Sequence, residues 1–182
     1  MILTVIIVTS FSVQIIYKYS MKMNSDVKIC CHPFDTTLWH VKTHVWNKKL
    51  FLQDKVKLFM HVPLNMGSVI KRMFKKIEQA DAMPETQDFL MLTHDTSLWN
   101  SELYMTVSKN VPNENMSTLS GTFFSRVYDG PYHHVPKWIA DMDAYLASKK
   151  QKALKYYLHY AYCPKCAKKF GHNYCVVFAK ID

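Results

Sequence analysis

GTFFSRVYDGPYHHVPKWIADMDAYLASKK (121–150) reads as a strand, a Gly-Pro corner and one amphipathic helix. Val135, Trp138, Ile139, Met142, Tyr145 and Leu146 recur at three- and four-residue intervals. Lys137, Asp141 and Asp143 fall mostly on the other side, as expected of a helix that buries one stripe. Pro136 is tolerated only in a first helical turn, and Asp129 is placed to cap the orphan N–H groups. KYYLHYAY (155–162) and NYCVVFAKI (173–181) follow. Both alternate in period two and are rich in β-branched and aromatic residues, which marks strands.

The same order occurs upstream. KVKLFMHV (55–62) leads through a turn at Leu64-Asn65-Met66-Gly67 into SVIKRMFKKIEQ (68–79). Val69, Ile70, Met73, Phe74 and Ile77 form its apolar stripe, and Lys71, Lys75 and Lys76 its solvated side. DFLMLTH (88–94) and SELYMTVS (101–108) complete the set. The chain has 4 glycines, and Gly67 and Gly130 occupy matching corners, where glycine admits positive φ. An internal duplication is therefore expected. The fold class is α+β: two β-α-β-β repeats, 55–108 and 121–182, with pseudo-twofold symmetry, antiparallel sheets, two main helices and a central cleft. A repeat of about 60 residues is marginal alone, so both should share one domain spanning 55–182. The polar stretch 109–120 connects them, and 23–54 is an N-terminal extension.

MILTVIIVTSFSVQIIYKYS (1–20) is apolar up to Lys18. That is short of the roughly 20 residues that span a bilayer, and it lacks the leading charge and cleavage site of a secretory signal. Three readings compete for 1–22: an uncleaved anchor, an atypical signal, or upstream sequence from a misassigned start with Met21 or Met23 the true one. A membrane partner follows only if this segment is real.

The formal net charge of +9 points toward acidic partners, but KRMFKK (71–76) and KKQKALK (149–155) read as solvated helix faces. Nucleic-acid binding would need basic residues interleaved with exposed aromatics, so it is not expected. An odd number of cysteines, 5, does not suggest a secreted disulfide framework, and the location expected is cytoplasmic. CPKCAKKFGHNYC (163–175) invites zinc, because Cys163 and Cys166 have ligand spacing. His172 and Cys175, three apart on a strand, would point to opposite faces and could not both join them. The rival reading is a long hairpin loop carrying a redox-capable or structural thiol pair. Nothing in the sequence points to Cys30, Cys31 or His32 of the N-terminal segment as completing a metal site. No other cofactor is expected. GxSxG, HExxH and Gly-rich phosphate loops are absent, and His133-His134 at a helix start reads as surface.

Strand alternation gives a better route to a site. With Val56, Leu58, Met60 and Val62 facing the helices, Phe59 and His61 lie on the open face of the sheet. Glu102, Tyr104 and Thr106 lie opposite Leu103, Met105 and Val107. Phe124, Arg126 and Tyr128 lie opposite Phe123, Ser125 and Val127, and Tyr157 and His159 alternate with Tyr156, Leu158 and Tyr160. Aromatics with sparse polar groups are the composition of a small-molecule site, although such rings also simply pair across strands.

The Gly-Pro-Tyr corner (Gly130, Pro131, Tyr132), Trp138 in the second helical turn and the Tyr145-Leu146 pair resemble the GyrI-like small-molecule-binding domains, relatives of the SOUL haem-binding proteins. The resemblance covers 55–182. It is closest to a subgroup with a PLNMG turn and a CPKCAKK hairpin, whose members are often described as candidate hydrolases. It implies a cleft between the repeats that takes lipophilic, often cationic compounds. In hydrolytic relatives, which open strained cyclopropane-bearing toxins, aromatics hold the substrate and a cleft glutamate activates water. Here the strand that often carries this glutamate reads LKYYLHYAY and offers His159 instead, leaving Glu102 as the cleft carboxylate.

The sequence thus predicts a protein that holds a hydrophobic or aromatic small molecule in a cleft, with cationic compounds among the candidates. Phe59, Tyr104, Phe124, Tyr128 and Tyr157 supply contacts, and His61 and Arg126 set orientation. The alternatives are a hydrolase using Glu102 or His159 as general base, and a zinc-binding interaction module at Cys163 and Cys166.

Overall fold

β1 (Lys42–Phe59) is 18 residues long and organises the sheet. A computed structural model describes residues 31–182; the apolar segment 1–22, the start of the extension and Cys30 lie outside the described residues. β1 pairs with two neighbours at once: Lys42 to Leu52 against β5 (Met116–Asp129), and Phe51 to Lys57 against β4 (Asn100–Thr106). A register shift between Trp46 and Lys49 lies within the β5 pairing. Lys48 there has positive φ, and its N–H donates to Ser120 Oγ at 2.9 Å. Such a bulge bends a strand and raises its twist.

The remaining elements are β2 (Val62–Pro63), α1 (Met66–Gln79), β3 (Met91–Asp95), α2 (Val135–Ser148), β6 (Lys155–Tyr160), α3 (Pro164–Phe170) and β7 (Tyr174–Lys180). The sheet order is β2-β1-β4-β3-β6-β7-β5, and β5 returns to β1. The pairings are antiparallel, so the sheet closes into a barrel carrying three helices. The β3–β6 seam has one backbone pair, Thr93 with Leu158. Side chains supplement it: Thr93 Oγ1 donates to Leu158 O at 3.4 Å, and His94 Nδ1 lies 2.9 Å from Tyr156 O.

Closure gives the sheet an outside and an inside. Under α1, Val69, Met73 and Ile77 meet Leu52, Val56, Leu58, Leu103 and Met105. Under α2, Trp138, Met142 and Leu146 meet Phe124, Cys175, Val177 and Ala179. Both helices are therefore held by the apolar stripes read from their spacing, and burial rather than propensity fixes short helices of this kind. Inside the barrel, Phe51, Leu90, Leu92, Tyr104, Phe123, Tyr157, Val176 and Phe178 pack together. Phe34, Trp39 and Trp46 cover part of that cluster.

Several local expectations need correction. β1 begins at Lys42 and β5 at Met116, so strand extends into the stretches read as extension and connector. Gly67 lies within α1 with ordinary φ and open space around it. The preceding turn instead uses Met60 and His61 in left-handed conformations, which exposes Met60 and Val62. Gly130 does need its glycine: φ is 147°, and a Cβ there would sit 3.2 Å from His134 Nδ1. Asp129 does not cap α2, whose N-cap is His134; its carboxylate accepts from Asn173 N at 2.8 Å and lies 2.6 Å from His172 Nδ1. The segment read as a hairpin loop contains helix α3, ended by Gly171 at φ 73°. No helix among the described residues is long and apolar enough to cross a membrane.

Candidate functional site

β4 places Glu102 and Tyr104 two residues apart, on the inner face of the barrel, while Leu103 and Met105 serve the α1 side. Register sets their neighbours. Tyr104 lies between Gln53 of β1 and Leu92 of β3, and Glu102 between Lys55 and His94. The Tyr104 hydroxyl donates to Glu102 Oε2 at 2.6 Å and accepts from Gln53 Nε2 at 3.3 Å. Tyr157 from β6 meets Tyr104 edge-on at 5.8 Å and His94 at 5.5 Å. Lys155, two residues earlier, sets its Nζ 5.3 Å from the Tyr157 ring centre and 3.9 Å from Glu102 Oε2. The Glu102 side chain is 25% exposed and that of Lys155 35%, so this end of the interior reaches solvent.

Burial and the Glu102 hydrogen bond push the Tyr104 phenol well above its ordinary range. Burial, with the Glu102 charge adding, pushes Tyr157 up to about 12. Both phenols are neutral donors at physiological pH. Burial, then the Lys155 charge, lowers His94 from the usual histidine value, which keeps its ring neutral. The set comprises a solvent-reaching carboxylate, two protonated phenols, a neutral imidazole and an ammonium over an aromatic ring. Such a set can bind a cation by ring and carboxylate together, or polarise water against a held electrophile.

His159 is on the inner face but differs in kind. Its ring is 8% exposed, and Nδ1 lies 3.3 Å from Met91 N and 3.1 Å from Met91 O. Phe34 lies beside it at 6.3 Å. Burial lowers its pKa to about 4, and its Nδ1 is engaged with the β3 backbone across the weak seam.

The other expected contacts lie elsewhere. Phe124, Arg126 and Tyr128 face α2, because Phe123, Ser125 and Val127 take the inner positions of β5. Phe124 stacks on Tyr145 at 4.8 Å and Tyr128 on Trp138 at 5.5 Å. Arg126 Nη1 pairs with Asp141 Oδ2 at 2.8 Å, and the Tyr128 hydroxyl donates to the same oxygen at 2.7 Å. These three residues dock a helix. Phe59 is exposed against Trp99 at 5.6 Å, and His61 Nδ1 lies 2.7 Å from Asp95 Oδ2 at the β1–β2 turn. Tyr104, Tyr157 and Glu102 are thus brought together, while Phe59, His61, Phe124, Arg126 and Tyr128 are not. Gln53, His94 and Lys155 were missed. Alternation within DFLMLTH, with Leu92 inward, would have found His94; Lys155 was hidden in a charge run.

Cys163 is the residue before α3 and Cys166 lies in its first turn. Cys163 and Cys166 thus stand at the start of α3 with the spacing of a C-x₂-C ligand pair. Cys175 faces α2 and His172 pairs with Asp129, so neither belongs to it.

Comparison with known proteins gives a family and a fold. The family model described as bacterial hydrolase matches residues 21–181. No curated protein matches. Among solved structures, the chain is similar to the crystal structure of the EcmrR C-terminal domain, with TM-score 0.55 and 14% identity, covering 80% of this chain and 98% of that one. It is also similar to EcmrR in the cryo-EM structure of an EcmrR–DNA complex, with TM-score 0.59 and 10% identity, covering 94% of this chain and 65% of that one. At such identities the likeness is one of fold.

Proposed function

Since the chain belongs to the bacterial hydrolase family, we propose that it binds an aromatic, cationic small molecule at the Glu102 end of the barrel interior and hydrolyses it. The observation that carries this reading is the Glu102 carboxylate, held at 2.6 Å by the Tyr104 hydroxyl beside the Tyr157 ring and open to solvent. Lys155 supports the cationic preference. Its ammonium sits over the Tyr157 ring and near Glu102, where a ligand cation would sit, so the ligand would displace a tethered cation. Cation–ring contacts contribute about 1–2 kcal/mol when desolvated.

In the hydrolytic step Glu102 takes a proton from water, and the water oxygen bonds to the electrophilic carbon. The bond from that carbon to the leaving atom breaks; Tyr157, kept protonated, hydrogen-bonds the leaving atom, and the proton held by Glu102 passes to it. Tyr104 is a positioning residue that orients the carboxylate. The element order, in which β1-α1-β3-β4 is followed by β5-α2-β6-β7, supports the duplication read from the sequence, with Glu102 and Tyr104 from one repeat and Tyr157 from the other.

The test is a panel of aryl and benzyl ammonium esters assayed with wild-type protein and Glu102→Gln. Removing a general base costs about 10²–10⁴-fold in turnover, while thermal stabilisation by the same compounds should persist. Equal turnover by Glu102→Gln eliminates the base assignment.

A further inference from the structure

On the reading that a ligand cation sits at Glu102, we propose that His94 completes its recognition: the site takes an ammonium carrying at least two N–H groups, one donated to the Glu102 carboxylate and one to His94 Nε2. The tautomer of His94 comes first. Its Nδ1 lies 2.9 Å from Tyr156 O. A carbonyl oxygen only accepts, so Nδ1 carries the ring proton, and a neutral imidazole of that form presents Nε2 as an acceptor. Burial, then the charge of Lys155, lowers the His94 pKa, which keeps a second proton off the ring. Among the described residues, the bond to Tyr156 O is the ring's one hydrogen bond.

Placement follows from register. His94 of β3 stands directly opposite Glu102 of β4. Residues so paired share a face of the sheet, with Cβ atoms about 4.5–5.5 Å apart. The Tyr157 ring lies against His94 at 5.5 Å. Two acceptors, one charged and one neutral, therefore stand side by side next to an aromatic ring.

Lys155 shows which cation the place accommodates. Its Nζ is a primary ammonium with three donors, 3.9 Å from Glu102 Oε2 and 5.3 Å from the Tyr157 ring centre. At 3.9 Å it pairs with the carboxylate by charge and not by hydrogen bond. A free ammonium lacks that tether and can close to about 2.8 Å. A site that bonds N–H groups rejects an analogue lacking them, because its acceptors are then left unpaired. Quaternary ammonium ions, which have no N–H, satisfy neither acceptor.

Calorimetric titration of the full chain at pH 7 with three singly charged benzyl probes tests this: N-methylbenzylammonium with two N–H groups, N,N-dimethylbenzylammonium with one, and benzyltrimethylammonium with none. Wild-type affinity should fall about tenfold or more from the first to the second, and again to the third. His94→Asn can still donate to Tyr156 O from the Nδ1 position but deletes the Nε2 acceptor; it should abolish the first step and keep the second. Equal wild-type affinity for the first two probes overturns the proposal and leaves the cation site at Glu102 standing. So does a first step that survives in His94→Asn. Should that variant fail to fold, the wild-type series still decides, and nitrogen NMR of its histidine rings reads the tautomer: a proton on His94 Nε2 in place of Nδ1 overturns the proposal. Wild-type binding of none of the three probes removes the Glu102 cation site itself, and the proposal with it.

Discussion

The inner face of the barrel and the pads beneath α1 and α2 are both buried, but they are built differently. The α1 pad is made of Leu52, Val56, Met73, Ile77, Leu103 and Met105, and its side chains carry no hydrogen-bonding group. The inner face mixes Phe51, Phe123 and Phe178 with Tyr104, Tyr157, His159 and Ser125. Buried polar groups cost stability unless they are paired, and the α1 pad shows that this chain can build a dry layer without them. The inner polar groups divide by what they touch. Ser125 Oγ donates to Trp39 O at 2.6 Å and lies 2.7 Å from His44 Nε2, and His159 is engaged with Met91; both are internal fastenings. Glu102 is held on one side and reaches water on the other. That asymmetry sets Glu102 apart from the core.

The largest effect should be the same on both faces. Phe51→Ala inside and Met73→Ala beneath α1 each remove a fully buried side chain and should cost about 3–4 kcal/mol in urea unfolding. Ligand affinity, compared among the folded fraction, should change only for the inner substitution. A Met73→Ala protein with altered ligand affinity would break the division.

Acid should weaken the inner face next. His159 has a folded pKa of about 4 against an ordinary 6.5. Below 6.5 the unfolded chain binds a proton that the native chain refuses, so its contribution is intact above that pH and is lost as pH falls toward 4. Between pH 7 and 5 the loss from this group is about 2 kcal/mol. His44 and His94 are lowered for the same first reason, burial, and add in the same direction. His159→Gln should flatten the urea midpoint between those pH values; an unchanged slope would show that the ring is not held neutral.

A smaller contrast compares two tyrosines. Tyr104→Phe removes the donor to Glu102 and should cost about 1 kcal/mol in stability along with ligand affinity. Tyr128→Phe removes an exposed bond to Asp141 and should cost under about 0.5 kcal/mol, leaving the ligand untouched. Equal ligand effects would move the site toward α2.

Helix periodicity made α1 and α2 legible, and alternation placed Tyr104, Tyr157 and Glu102 on one face, because residues two apart in a strand must share a face. Alternation does not say which face is which. In β5 both parities are aromatic, so the pairing of β5 with β7 and the pull of Trp138, Tyr145 and Asp141 decided that Phe124, Arg126 and Tyr128 go outward. The end of β1 failed for another reason: the left-handed Met60 and His61 break the period without a glycine to announce it. Barrel closure is not a local property, so it cannot be read from spacing.

The most direct measurement is calorimetric titration of benzyltrimethylammonium into wild-type chain and Glu102→Gln. A carboxylate–cation contact of about 1.5–3 kcal/mol predicts saturable wild-type binding that weakens about tenfold or more in the variant. Absence of wild-type binding, or equal affinity in the two proteins, would contradict a cation site at Glu102.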